Sequence, residues 1–260
     1  MENKYLKDYY DNYDEENRLL SQHGKVEFLT TLRYIDKYLK EDMKILEIGA
    51  GTGRYSLHYA DKGFKVEAVE LMPHNISVFQ SKIKDDMTVN VHQGNACNLS
   101  MYEDNMFDMT LVLGPMYHLF TEEDKKAAIS EALRVTKKGG LIYAAFTMND
   151  STIFNWGFMK GNILDAMKEK VVSEDFQCAS NPDQIFEMWT MEDIKKLFSQ
   201  YSVEKLHMIA TDGLTNYRRD MVDEWSEEMF NAWLKYHFTV CEREDLIGYS
   251  DHTLFIGRKK

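Results

Sequence analysis

The sequence predicts an α/β protein organised around one mainly parallel sheet with helices on both faces. Three observations lead there. Short apolar runs of strand length alternate with helix-patterned stretches, the first of these runs ends in a glycine-rich turn, and 260 residues at 44% hydrophobic content suffice for one sizeable core without metal or disulfide staples. Strands separated by helices imply βαβ units, which imply parallel strands covered on both sides.

The elements follow in order. Residues 1–40 stand outside the alternation and read as a helical, tyrosine-rich segment. Residues 43–48 form the first apolar run, stopping at Gly49; residues 65–69, 89–92, 107–113 and 141–146 are further runs of strand length. Thr121 with Asp124, and Thr190 with Asp193, each supply a hydroxyl N-cap and an acid three residues on. The first of these helices is expected to end in Lys137-Lys138-Gly139-Gly140, basic residues in the last turn and then a glycine stop. Residues 149–188 and 212–250 read as two helical insertions rich in aromatics and methionine. Trp156, Trp189, Trp225 and Trp233 lie in or beside them, and either pack the insertions on the core or line a pocket. Residues 253–258 form the last run. The expected organisation is one domain over 1–260: N-terminal segment 1–40, core 41–148, insertion 149–188, core 189–211, insertion 212–250 and a final core segment 251–260.

Composition narrows the partners. A formal charge of -12 repels polyphosphates, which nucleic-acid binders neutralise with clustered Lys and Arg. Cys97, Cys178 and Cys241 are too far apart for a zinc ribbon and too few for a secreted disulfide scaffold, so a reducing cytoplasm is expected. The first residues carry no apolar leader, and no run of about 18 apolar residues spans a membrane. No G-x-S-x-G elbow, G-x-x-x-x-G-K-[ST] loop or H-E-x-x-H zinc motif occurs.

The turn Glu47-Ile48-Gly49-Ala50-Gly51-Thr52-Gly53 lets the backbone approach a ligand closely, ahead of a helix whose free N–H groups suit an anionic group. A dinucleotide fingerprint needs a third small residue where Arg54 stands, and that bulk obstructs helix–strand packing. Glu70 closes the second strand about 20 residues on, where a carboxylate accepts from both ribose hydroxyls or is simply a strand-end acid. The spacing of an acid two residues before G-x-G-x-G resembles motif I of class I S-adenosylmethionine-dependent methyltransferases. Gly94-Asn95-Ala96, Gly114-Pro115-Met116-Tyr117-His118-Leu119 and Arg134-Val135 with Lys137-Lys138-Gly139-Gly140 are similar to further segments of the small-molecule members. The likeness spans residues 40–146.

That resemblance implies a Rossmann-like sheet of seven strands, order 3-2-1-4-5-7-6, with the last strand antiparallel. It implies S-adenosylmethionine as cofactor, S-adenosylhomocysteine as product, and no obligatory metal. It places Glu47 near the methionine amino group, Gly49, Ala50, Gly51, Thr52 and Gly53 beneath the cofactor, and Leu71 and Met72 beside ribose and adenine. Asn95 and Ala96 fall near the adenine amine, and Leu113 offers a carbonyl. Tyr5, Tyr9, Tyr10, Tyr13 and Arg18 belong to a segment that in similar enzymes closes as a lid.

Ligands of open α/β sheets bind beyond the carboxyl ends of the strands, which makes Tyr117 and His118 candidates for the acceptor site. An antiparallel last strand starts on that face, bringing Tyr249, Asp251 and His252 towards it. His118 and His252 serve as general bases or hold structure. The expected reaction is methyl transfer to O, N or S of a small molecule by a cytoplasmic monomer or homodimer, without nucleic acid or membrane partners. A non-catalytic binder of the same cofactor and a nicotinamide-dependent dehydrogenase are the rival readings, the second disfavoured by Arg54.

Overall fold

Alternation along the strands decides which helix packs where. In β1 (Lys44–Ile48), Ile45 points into one core and Leu46 and Ile48 into another, on opposite faces of the sheet. The same split recurs in β2 (Lys65–Glu70), β4 (Phe107–Val112) and β5 (Thr136–Met148), where Tyr143 and Ala145 face one way and Ile142, Ala144 and Phe146 the other. These runs are buried on both faces, as parallel strands between two helical layers should be. One layer holds α2 (Gln22–Asp36), α3 (Arg54–Asp61) and α4 (Pro73–Gln80); the other holds α5 (Glu122–Val135) and α8 (Met191–Phe198). The structure, a computed structural model, describes residues 4–260, so the first three residues of the expected N-terminal segment lie outside the described residues.

The sheet runs β3-β2-β1-β4-β5-β8-β7, with β3 at Val89–Gln93, β7 at Val203–Ala210 and β8 at His252–Lys259. This is the expected Rossmann-like order, and β8 is antiparallel to both neighbours. An eighth strand was not expected: β6 (Met188–Trp189) pairs parallel with the end of β5. Register puts His252 opposite Thr147 and Thr253 opposite Ala210, so β8 begins where β5 and β7 end.

Two expectations are corrected. Helix α5 stops at Val135, and 137–140 belong to β5: Thr136 is extended, pairs with Phe107, and Lys137 binds Asp108 at 2.8 Å, which draws the basic pair into the sheet. Insertion 149–188 is helical only in its first half: α6 (Asn149–Thr152), a π-helical stretch Ile153–Met159 and α7 (Ile163–Lys168). Beyond it, Ser173 bonds Gln177 through both hydroxyl and backbone, a local alternative to helical bonding, and Asn181-Pro182 breaks the chain again. The second insertion carries α9 (Arg219–Asp223), α10 (Glu227–Val240) and α11 (Glu244–Ile247). Both threonine caps form, and Thr190 with Asp193 completes a reciprocal capping box. At the N-terminus, α1 (Lys4–Tyr10) and the turns behind it lie across the carboxyl ends of the strands.

The turn after β1 tolerates no side chain at two places. Gly49 has φ +73° and a Cβ there would stand 2.6 Å from Pro115; Gly53 has φ +87° and a Cβ would stand 2.6 Å from the Phe79 ring. Gly53→Ala combines left-handed strain with overpacking, for an expected loss of about 3 kcal/mol in urea unfolding. An unchanged midpoint would contradict the packing described.

Candidate active site

Strand ends, the glycine turn, the N-terminal segment and both insertions enclose one cavity of about 1410 Å³, more than a single drug-sized ligand needs. At one end lie Glu47, Gly49, Ala50, Gly51 and Thr52, with Glu70, Leu71 and Met72 from the second strand. Asn95 and Ala96, Leu113, Tyr117 and His118, and His252 also line it. Of the residues expected to hold the cofactor or approach the active face, Gly53 and Tyr249 are outside this lining: Gly53 starts α3 and packs on Phe79, and Tyr249 is turned out to solvent. Of the tryptophans, Trp156 lines the cavity. Trp189 is buried in the core with Nε1 donating to Met116 O at 2.9 Å, and Trp225 and Trp233 pack on each other outside the lining.

The glycine turn is tied to the next strand twice. Gly49 N donates to Val69 O at 2.8 Å, and Gly51 N donates to Glu70 Oε2 at 2.8 Å. Glu70 Oε1 also accepts from Met72 N at 2.9 Å, so the carboxylate bridges the turn and the start of α4. Burial raises its pKa. Glu47 is more deeply enclosed: Oε2 accepts from Ser56 N at 2.9 Å and Ser56 Oγ at 2.5 Å, and burial still pushes the carboxyl up to about 8. Both acids line the cavity beside the glycine turn. Asn95 turns its Oδ1 onto Cys97 N at 2.9 Å, shaping the adjacent loop.

His118 has both ring nitrogens engaged. Nδ1–H donates to Ile185 O at 2.8 Å, which leaves Nε2 to accept from Tyr10 O–H at 2.9 Å. Burial drives its pKa down to about 4, so it is a neutral imidazole joining the N-terminal helix to the second half of the first insertion. Tyr9 stacks on Tyr13 with centroids 4.9 Å apart and meets Phe186 edge-on, which extends this aromatic wall. Tyr117 is fixed from behind: Glu187 N donates to its carbonyl at 2.6 Å, and Glu187 is buried in an ion pair with Lys125 at 2.5 Å. Burial raises the Tyr117 hydroxyl well above the usual phenol range, and it stays protonated.

His252 is differently placed. Its Nδ1 lies 2.8 Å from Asp212 Oδ2, and among the described residues no hydrogen bond occupies Nε2 on this cavity-lining ring. Asp212 in turn accepts from Ser250 Oγ, Asn216 Nδ2 and His252 N, a fully donated buried carboxylate whose pKa falls despite burial. Sequence reasoning missed Asp212, although it stands just past the carboxyl end of β7, the position that singled out Tyr117. It also missed Glu27, whose signal was an acid on the buried 24-27-31-34 stripe of α2.

Comparison with known proteins gives a consistent picture. A family model described as a methyltransferase domain matches residues 45–140. The glycine/sarcosine N-methyltransferase of Aphanothece halophytica is 24% identical over 145 residues, 54% of this chain and 53% of that protein. The demethylmenaquinone methyltransferase of Paenarthrobacter aurescens is 34% identical over 110 residues, 42% of this chain and 41% of that one. The chain thus spans about half the length of the curated relatives it matches. A protein from Pyrococcus horikoshii superposes with a TM-score of 0.60 at 18% identity, covering 98% of this chain and 99% of its own. A SAM-dependent methyltransferase from Methanosarcina mazei reaches 0.58 at 18% identity, covering 87% and 96%. These likenesses show the fold.

The Glu47 carboxyl makes a signed prediction. Its pKa is raised on folding, so between its unfolded value and about 8 the native state binds more protons, and stability from this group falls as pH rises through that window. Glu47→Gln removes the decline. The stability of the variant relative to wild type, measured by urea unfolding, should improve from pH 5 to pH 8; a constant difference would refute the assignment.

Proposed function

We propose that the chain is a class I S-adenosylmethionine-dependent methyltransferase that transfers the methyl group to an O, N or S atom of a small-molecule acceptor, leaving S-adenosylhomocysteine. One observation carries the reading: the acid–glycine turn, Glu70 and a hydrogen-bonded His–Asp pair open on the same cavity. The residues present fit the cofactor. A Cβ on Gly51 would project towards the cavity and meet nothing closer than Glu15 at 3.5 Å, so the turn leaves a cradle, with a carboxylate at each end of it.

S-adenosylmethionine, when bound, supplies a methyl already activated on a sulfonium, so positioning and exclusion of water are the protein's main tasks. Glu47 would receive the methionine ammonium and Glu70 the ribose hydroxyls, with Gly49 to Thr52 beneath, Leu71, Met72, Asn95 and Ala96 around the adenine, and Leu113 offering its carbonyl. Tyr9, Tyr10 and Tyr13 exclude water, Tyr10 being held by His118. Tyr117 presents its face to the acceptor, and His252, oriented by Asp212, takes the acceptor's proton.

Support for a small acceptor comes from the enclosed cavity, from the charge of -12, and from relatives named for glycine or sarcosine and for demethylmenaquinone. Among the described residues no helix is long and apolar enough to cross a membrane. The proposal includes a cytoplasmic monomer or homodimer.

Incubation with methyl-labelled S-adenosylmethionine and a metabolite extract should move label into a small molecule; binding without any transfer would favour the non-catalytic rival. Gly51→Trp should abolish S-adenosylhomocysteine binding in calorimetry. His252→Gln should lower kcat by about 100-fold or more with that affinity intact. Because the two carboxylates outweigh burial and hold His252 at about 9, kcat/KM should climb with pH towards that value; a flat profile from pH 7 to 9 would exclude His252 as base.

A further inference from the structure

Four ionisable side chains converge in the cavity. Arg18, from the segment after α1, forks onto Glu27 of α2, with Nη1 to Oε2 at 2.7 Å and Nη2 to Oε1 at 3.2 Å. Glu27 Oε2 is 3.5 Å from His252 Nδ1, and Asp212 Oδ2 is 2.8 Å from the same atom. Two neighbouring groups add no net charge: Asp251 is matched by Arg219 of α9 at 3.1 Å, and Tyr117, its ring 5.6 Å from the imidazole, is a neutral phenol. Glu15, beside Gly51, adds a third carboxylate and shares the same guanidinium, accepting from Arg18 Nε at 3.3 Å.

Arg18 is thus committed to Glu15 and Glu27, while Asp212 pairs with His252, and the buried cluster carries uncompensated negative charge. An unbalanced buried charge is costly, so something must supply a positive one. In the ligand-free protein the His252 proton does this: burial lowers its pKa, but Glu27 and Asp212 outweigh burial and raise it to about 9.

We propose that the acceptor is a monocation, a small protonated amine, whose ammonium takes the place of the His252 proton and so makes His252 a neutral base beside the nitrogen to be methylated; this rests on the methyl-transfer reading above. Docking of the ammonium sends the His252 proton to solvent. His252 Nε2 then removes one N–H proton, the freed lone pair forms the new carbon–nitrogen bond, and the methyl–sulfur bond breaks with its pair left on sulfur, turning sulfonium into neutral thioether. A neutral phenol or thiol would leave His252 protonated and unable to accept. Nine carboxylates against five Lys and Arg line the cavity, so an anionic acceptor meets repulsion. Glu27, Asp212 and His252 are also close enough to grip a metal ion, but the Arg18 guanidinium already occupies Glu27 Oε2.

The test follows the His252 ring by nitrogen-15 NMR in the complex with S-adenosylhomocysteine, with methylammonium chloride as probe and sodium chloride at equal ionic strength as control. Methylammonium should lower the apparent pKa of His252 by about one unit or more relative to sodium; equal behaviour of the two salts overturns the proposal. Asp212→Asn removes the carboxylate paired with His252 and should abolish the methylammonium effect, with Glu27→Gln as substitute if that variant does not fold. A surviving effect in the folded variant counts against the proposal. In competition among equimolar small amines, phenols and thiols, label should arrive on nitrogen, and label chiefly on oxygen or sulfur overturns it. Calorimetry with S-adenosylhomocysteine on the same samples separates the two failures: absent binding sinks the methyl-transfer reading, whereas intact binding with no methylammonium effect sinks this inference alone.

Discussion

The molecule depends on a chain reversal completed within five residues at the end of β1. Pro115 sits against Gly49 and Phe79 against Gly53, so the loop after β4 and helix α4 are both docked on backbone. The reversal is also pinned to β2 through Val69 O and the Glu70 carboxylate. Three strands are thereby locked to one another at their carboxyl ends before any side chain of the cavity is placed. A side chain at either glycine would part these elements, and the floor of the cavity would part with them.

Much of this was legible because parallel strands are monotonous. Residues 43–48, 65–69 and 107–113 carry apolar residues on both faces, and the glycines follow the first of them. The antiparallel start of β8 was equally readable, which brought His252 to the right face. What escaped was whatever depends on neighbours distant in sequence. β6 is two residues long and exists because Thr147 and Met148 offer it an edge. The loop of 169–187 looked helical from its apolar content, yet Ser173 and Pro182 decide its path. Nothing near His118 in sequence foretold that Ile185 and Tyr10 would occupy both its nitrogens. Asp212 and Glu27 lie 185 residues apart and acquire meaning only together with His252.

The two histidines past the sheet show how burial alone does not set chemistry. Both are enclosed, and their pKa values move in opposite directions. His118 faces a carbonyl and a phenol, neither charged, so desolvation wins and the ring stays neutral. His252 faces two carboxylates, so Coulomb attraction wins. The first joins elements together; the second is left with an open nitrogen on the cavity. Asp212 makes the difference, and it can do so only because four donors keep it ionised away from water.

Arg18 belongs to the segment that covers the cavity, yet its charge is spent inside, on Glu27. The cover of the cavity and the carboxylates of its interior therefore share a residue. Displacing that segment would withdraw the guanidinium, leave Glu27 without its partner and tighten the hold of His252 on its proton, so the charge state of the interior is tied to the covering of the cavity.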